Sequence, residues 1–203
     1  MEFFFDFVSP YAYLASTQID ALAARHGRQV QWKPFLIGVT VLQVMGLKPL
    51  METPLKADYI AHDKSRMAEL LGVPIVQRDM RGVNSVAACR AYLWLAREDA
   101  GRARQFAHRV FERLWVQGLD ITTPADIADA CAAAGIEAGP VLAAITTDEA
   151  KQALRAAVDE AVARKVFGAP FFFVDGEPIW GVDRLWMLEH WLTHGNWRPA
   201  SKA

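Results

Sequence analysis

The hydrophobic pattern opens with a dense run, Phe3-Phe4-Phe5 followed by Phe7-Val8, interrupted by Asp6 and ended by Ser9-Pro10. So short and aromatic a run predicts a buried strand. Apolar residues then recur at helical spacing, at Tyr13, Leu14, Ile19, Leu22 and Ala23, until Gly27 supplies a stop, which predicts a helix over residues 11–26. Ser9 falls at the N-cap of that helix and Pro10 at its first position, where a missing N–H costs nothing. Residues 29–35 alternate Val30 and Trp32 against Gln31 and Lys33, as a half-buried strand does. A strand-helix-strand start implies parallel pairing through a right-handed crossover.

From 38 to 162 the strand signal nearly vanishes. Helical spacing over 55–71, 83–98, 103–117, 124–134 and 138–145 is punctuated by Gly or Pro, with Gly72-Val73-Pro74 and Gly118 as stops. Thr123 before Pro124, with Asp126 in the first turn, marks a helix start. Another helical pattern begins at Thr147 and passes through Leu154, Val158 and Val162. Then Phe171–Val174, the Asp175-Gly176 turn and a short edge strand over 178–180 predict a hairpin, and residues 185–194 a closing helix. This order predicts an α/β chain with a thioredoxin-like fold and a large all-helical insertion: 1–37 plus 163–203 as the thioredoxin-like domain and 38–162 as the inserted helical domain.

Composition narrows the function. A chain of 203 residues with 53% hydrophobic content supports a large core. Its net charge of -1, with no basic stripe, gives no reason to expect nucleic acid as a partner. Glu2 and Asp6 break the opening run and no basic flank precedes it, so it does not read as a signal peptide. No apolar run reaches the roughly 20 residues that span a bilayer, so a soluble, cytoplasmic protein with no membrane partner is expected. Cys89 and Cys131 lie far apart in Ala-rich helical patterns, form no C-x-x-C pair, and read as buried, inert thiols.

Ser9 by itself is an ordinary helix cap, yet it also sets a hydroxyl beside a helix N-terminus, where an anion such as a thiolate is favoured. Pro170 stands at a strand start, which proline tolerates. If these two stretches meet, they form a cleft for a small anionic ligand. Asp183, before the last helix, reads as a cap. Lys56 and Asn84 read as solvated surface residues, and Trp186, Trp191 and the Phe171–Phe173 run as core. His190 and His194 have a spacing that can bind zinc, but no third ligand accompanies them, so no metal site is expected.

Three ordered motifs carry a resemblance: Phe5-Asp6-Phe7-Val8-Ser9-Pro10-Tyr11-Ala12-Tyr13-Leu14, Lys165-Val166-Phe167-Gly168-Ala169-Pro170 and Trp180-Gly181-Val182-Asp183-Arg184-Leu185. With them the chain resembles, over nearly its whole length, the 2-hydroxychromene-2-carboxylate isomerase family, relatives of kappa-class glutathione transferases in the DsbA-like thioredoxin superfamily. The resemblance implies a cytoplasmic homodimer that uses glutathione as cofactor in aromatic hydrocarbon catabolism. It implies that Ser9 holds the glutathione thiolate where redox relatives carry a cysteine. It implies a cis bond before Pro170, with the Ala169 backbone pairing with the tripeptide, and Val182 and Asp183 binding its γ-glutamyl end. Lys56 and Asn84 match positions lining the cleft, and a small aromatic carboxylate substrate needs a cation, for which Lys56 is favoured over Arg81 and Lys33. The kappa-class pattern has an Asn where this chain has Gly46-Leu47-Lys48. The activity implied is glutathione-dependent isomerisation. The alternatives are a kappa-like transferase that conjugates electrophiles and a non-catalytic thioredoxin-like binding protein. A dithiol oxidoreductase would need paired cysteines where Ser9 and Tyr11 stand.

Overall fold

A computed structural model describes residues 1–198. Strand β1 (Glu2–Phe5) runs parallel to β2 (Gln31–Pro34), with Glu2 opposite Gln31 and Phe5 opposite Pro34. On its other side β1 pairs antiparallel with β3 (Phe171–Val174), which forms a hairpin with β4 (Glu177–Trp180), giving the order β2-β1-β3-β4. The phenylalanine run is explained by its place: β1 is central and covered on both faces, so Phe3, Phe4 and Phe5 are all buried. Asp175 and Gly176 both take positive φ, 52° and 90°, the geometry of a two-residue hairpin turn.

The helix predicted over 11–26 is two helices, α1 (Pro10–Ser16) and α2 (Ile19–Arg25). Ser16 donates its hydroxyl to the Tyr13 carbonyl (2.6 Å) and Thr17 to that of Leu14 (2.8 Å). Side chains that take backbone acceptors in this way compete with the helix ladder and open it. After β2 comes a π-helical turn, Gly38–Val44, and a 3₁₀ turn, Leu50–Glu52, neither of which was predicted. Several of their apolar side chains are exposed, Val44 at 59% and Met51 at 54%, so the hydrophobic pattern there does not report a buried face.

Seven further helices follow: α3 (Ala57–Leu71), α4 (Val86–Glu98), α5 (Ala100–Trp115), α6 (Pro124–Ala133), α7 (Ala138–Ile145), α8 (Asp148–Ala163) and α9 (Leu185–His194). The Thr123–Asp126 start is a capping box with both reciprocal bonds made. Helix α5 begins three residues before the predicted 103, because Asp99 caps it by accepting from the Gly101 and Arg102 amides (2.7 and 3.1 Å). The helical segment shares one core with the sheet. Phe5 packs against Tyr92 of α4 and Phe111 of α5, with ring centroids 5.4 and 5.8 Å away. Cys89 and Cys131 are fully buried within that core, as expected, whereas Trp186 is 66% exposed and corrects the expectation of a core residue.

Candidate active site

The corner between β1 and α1 is built from Asp6 to Pro10. Ser9 holds an extended conformation (φ -92°, ψ 117°), as an N-cap requires, and its Oγ accepts from the Ala12 amide at 3.2 Å. The same hydroxyl donates to the carbonyl of Ala169 at 2.8 Å, across 160 residues of sequence. The next peptide bond, Ala169–Pro170, is cis. The two stretches that bound the chain's chemistry therefore meet, and the meeting point is one hydroxyl. Ser9 and Ala169 are both buried, at 6% and 7% exposure, and the Ala169 N–H has no protein partner among the described residues.

The third motif joins through the backbone. Gly181 N–H donates to the Pro170 carbonyl at 3.0 Å, and the 3₁₀ turn Val182–Arg184 contacts α1. Val182 is buried in this contact, whereas the Asp183 carboxylate is exposed and lies 3.4 Å from the Arg184 guanidinium. Asp183 does not cap the last helix. That helix starts at Leu185 with Arg184 in the cap position and no side-chain cap bond, because the intervening turn carries Asp183 away from the helix amides.

Beneath the corner lies Asp6, 2% exposed. Its carboxylate accepts from the Ser85 hydroxyl, from the Ile37 amide (2.8 Å) and from the Val8 amide (3.2 Å), while its backbone carbonyl accepts from Ser9 N–H (3.0 Å). Burial pushes the Asp6 pKa up and these donors pull against it. Asp6 thus ties the β1 end, the β2 exit and the start of α4 to the residue that precedes the helix. On the opposite side, Tyr11 donates to Asp63 of α3 at 2.6 Å, and Asp63 also accepts from Arg66 Nε (2.8 Å). Burial, first, and then the Asp63 carboxylate hold the Tyr11 phenol above its ordinary range.

Lys56 and Asn84 are not drawn into this cluster by any hydrogen bond. Lys56 is exposed at the N-cap of α3, with no ion pair among the described residues. Asn84 is exposed, and its Oδ1 accepts from Val86 N–H (3.2 Å) at the start of α4. The two other candidate cations are occupied, Lys33 by Glu2 (3.2 Å) and Glu160, and Arg81 by Asp79. Sequence reading passed over Asp6 and Lys64. Asp6 carried a legible signal, a charge inside an apolar run, whereas Lys64 did not, because a lysine on a helix most often faces solvent. Among the described residues no cluster of ligating side chains could hold a metal, His190 and His194 included. A hollow of about 270 Å³ lined by Arg90, Trp94 and Thr147 lies between α4, α7 and α8 and includes none of the corner residues.

Chemically the corner holds a hydroxyl, an unpartnered amide and a cis-proline loop, with no sulfur of its own. Burial raises both thiols, that of Cys131 to about 11. Against known proteins, the family profile described as a DSBA-like thioredoxin domain matches residues 1–193. The chain belongs to this family. Within it, this DSBA-like chain is 28% identical over 195 residues to a 2-hydroxychromene-2-carboxylate isomerase of Sphingobium xenophagum, covering 95% of this chain and 97% of that protein. It is also 28% identical to glutathione S-transferase kappa 1 of Homo sapiens, covering 95% and 90% of the two chains. A solved 2-hydroxychromene-2-carboxylate isomerase superposes with a TM-score of 0.82 at 26% identity, covering 95% of this chain and 93% of that one. The DSBA-like frame and its helical insertion are thus shared over nearly the whole chain with proteins named as an isomerase and a kappa transferase.

Proposed function

We propose that the protein is a glutathione-dependent isomerase of a small aromatic carboxylate, converting 2-hydroxychromene-2-carboxylate to hydroxybenzylidenepyruvate. The observation that carries this reading is the Ser9 hydroxyl, 2.8 Å from the Ala169 carbonyl, at the place where a dithiol enzyme needs a cysteine. The reading that these residues take glutathione is supported by the unpartnered Ala169 amide and by the Ala169 carbonyl, held among the described residues only by the Ser9 hydroxyl, a pair to which an extended tripeptide would add as a strand does. Bound glutathione would supply a thiolate for reversible addition to a conjugated carbon, which frees the ring to open and the bond to rotate before elimination.

The chain's own work is to bind and to poise. A ligand N–H takes over the Ala169 carbonyl while the Ser9 hydroxyl turns to donate to the sulfur anion, a rotation the hydroxyl makes freely. Because α1 is only seven residues long, the helix end contributes less to that anion than the predicted sixteen-residue helix would, and the hydroxyl carries more. Asp183, exposed beside the cis-proline loop, suits the γ-glutamyl ammonium. Similarity to kappa transferases favours conjugation as the second reading. Turnover of hydroxychromene carboxylate with and without glutathione tests both. Dependence on glutathione, a product of unchanged mass and a loss of about 10²-fold or more in Ser9→Ala support the isomerase. A product retaining the tripeptide supports the transferase, and no turnover with no glutathione binding rejects both.

A further inference from the structure

The buried face of α3 carries an ammonium among aliphatic side chains. Ile60, Met67, Ala68 and Leu71 form an apolar stripe, and Lys64 lies on it at 7% exposure. Its Nζ has no hydrogen bond and no ion pair among the described residues, and its contact is the Trp115 ring, 5.3 Å from the centroid. Lys33, Arg66, Arg78, Arg81, Arg113 and Arg164 all face carboxylates. Burial alone lowers the Lys64 pKa, with no carboxylate near enough to offset it. An aliphatic residue of similar length would avoid the partial desolvation that burial imposes on this unpaired ammonium.

The position is as specific as the charge. Trp115 Nε1 donates to the Phe7 carbonyl at 2.8 Å, two residues before Ser9, and Asp63 binds the Tyr11 hydroxyl, two residues after it. Lys64 therefore stands between the two contacts by which α5 and α3 flank the Ser9 corner. Nζ is absent from the side-chain atoms that are both sealed from solvent and unpartnered, so it retains an opening.

We propose that Lys64 is the substrate-binding cation of this site, receiving the carboxylate of an aromatic acid beside Trp115, where α3 and α5 flank the β1–α1 corner, in place of the exposed Lys56. This deepens the isomerase reading by naming the group that selects a carboxylate, and it rests on that reading for the substrate class alone. Titration calorimetry with coumarin-3-carboxylate and its neutral amide, without glutathione and without turnover, tests it. The wild type binds the carboxylate roughly tenfold more tightly than the amide, K64M loses that preference while binding the amide unchanged, K64R restores part of it, and K56M keeps it. A folded K64M that keeps the preference, a wild type that has none, or a K56M that loses it overturns the proposal. Should K64M fail to fold, mass mapping of reductive methylation on the wild type decides. Protection of Lys64 by the carboxylate but not by the amide supports the assignment, and equal labelling overturns it. Loss of glutathione binding with the carboxylate preference intact would reject the isomerase and leave Lys64's role standing.

Discussion

Gly168 lies under the indole of Trp180, so that a β-carbon built on it would meet Nε1 at 2.6 Å. Gly168→Ala must swing that ring and break its edge contact with Phe167, at a cost of about 1–2 kcal/mol measurable by thermal unfolding. The change falls next to Ala169, so the same variant should bind glutathione more weakly, by calorimetry. Lys64→Met acts in the opposite sense on stability. A lysine whose folded pKa is lowered makes the native state bind fewer protons than the unfolded chain, so its destabilisation is full at low pH and fades as pH rises toward the ordinary 10.5. K64M is therefore expected to melt above the wild type at neutral pH, with the gap closing under alkaline conditions. A gap that widens with pH would refute this. These residues differ in legibility. Ser9 and Pro170 announce themselves because local chemistry limits what a cap and a strand start can be. Lys64 does not, because a lysine on a helix is most often solvated, and only tertiary packing shows that this one is not.

At the scale of elements, the closing helix and the hairpin follow from sequence because their signals are local: Asp175-Gly176 for the turn and Gly195, φ 65°, for the helix end. Thr123 is a similar case, and Thr123→Ala removes half of a capping box. That should cost about 1 kcal/mol of unfolding free energy in urea titration, with no effect on ligand binding. What sequence spacing did not disclose has a common cause. The break between α1 and α2 comes from Ser16 and Thr17 bonding back to the helix, and the early start of α5 comes from an Asp99 cap obscured by Gly101. Both are hydrogen-bond choices that leave the apolar periodicity untouched. The π-helical and 3₁₀ turns between β2 and α3 were missed for a different reason, since exposed apolar residues give a pattern with no buried face behind it.

Over the whole molecule, one ion cluster links the two ends of the chain. Glu2 on β1 accepts two bonds from Arg164 (2.6 Å each) and faces Lys33 of β2, while Arg164 lies over the Phe173 ring of β3 at 3.9 Å. The Arg164 bond, foremost, holds the Glu2 pKa below its ordinary value, against the opposing pull of burial. A depressed carboxylate stabilises the fold above its unfolded pKa, and that stability is lost as pH falls through the lower folded value. Glu2→Gln should thus lose about 0.5–1 kcal/mol at pH 7, with a difference from the wild type that shrinks in acid below pH ~4. The membership of the fold in its family was legible from three motifs and their order, because the frame must bring Ser9 to Ala169 whatever the substrate. The candidate site was less so, since Ser85 before α4, Asp63 of α3 and Trp115 of α5 reach the corner through tertiary contacts that no spacing rule pairs. The serine at the corner has one more consequence. With Cys89 and Cys131 sealed in the core, hydrogen peroxide finds no reactive sulfur on the polypeptide at its working centre. If glutathione supplies the thiol as proposed, oxidant acts at this centre on the diffusible thiol and not on a residue of the corner, so a preparation silenced by mild peroxide should regain turnover on dialysis into fresh tripeptide, with no reductase needed.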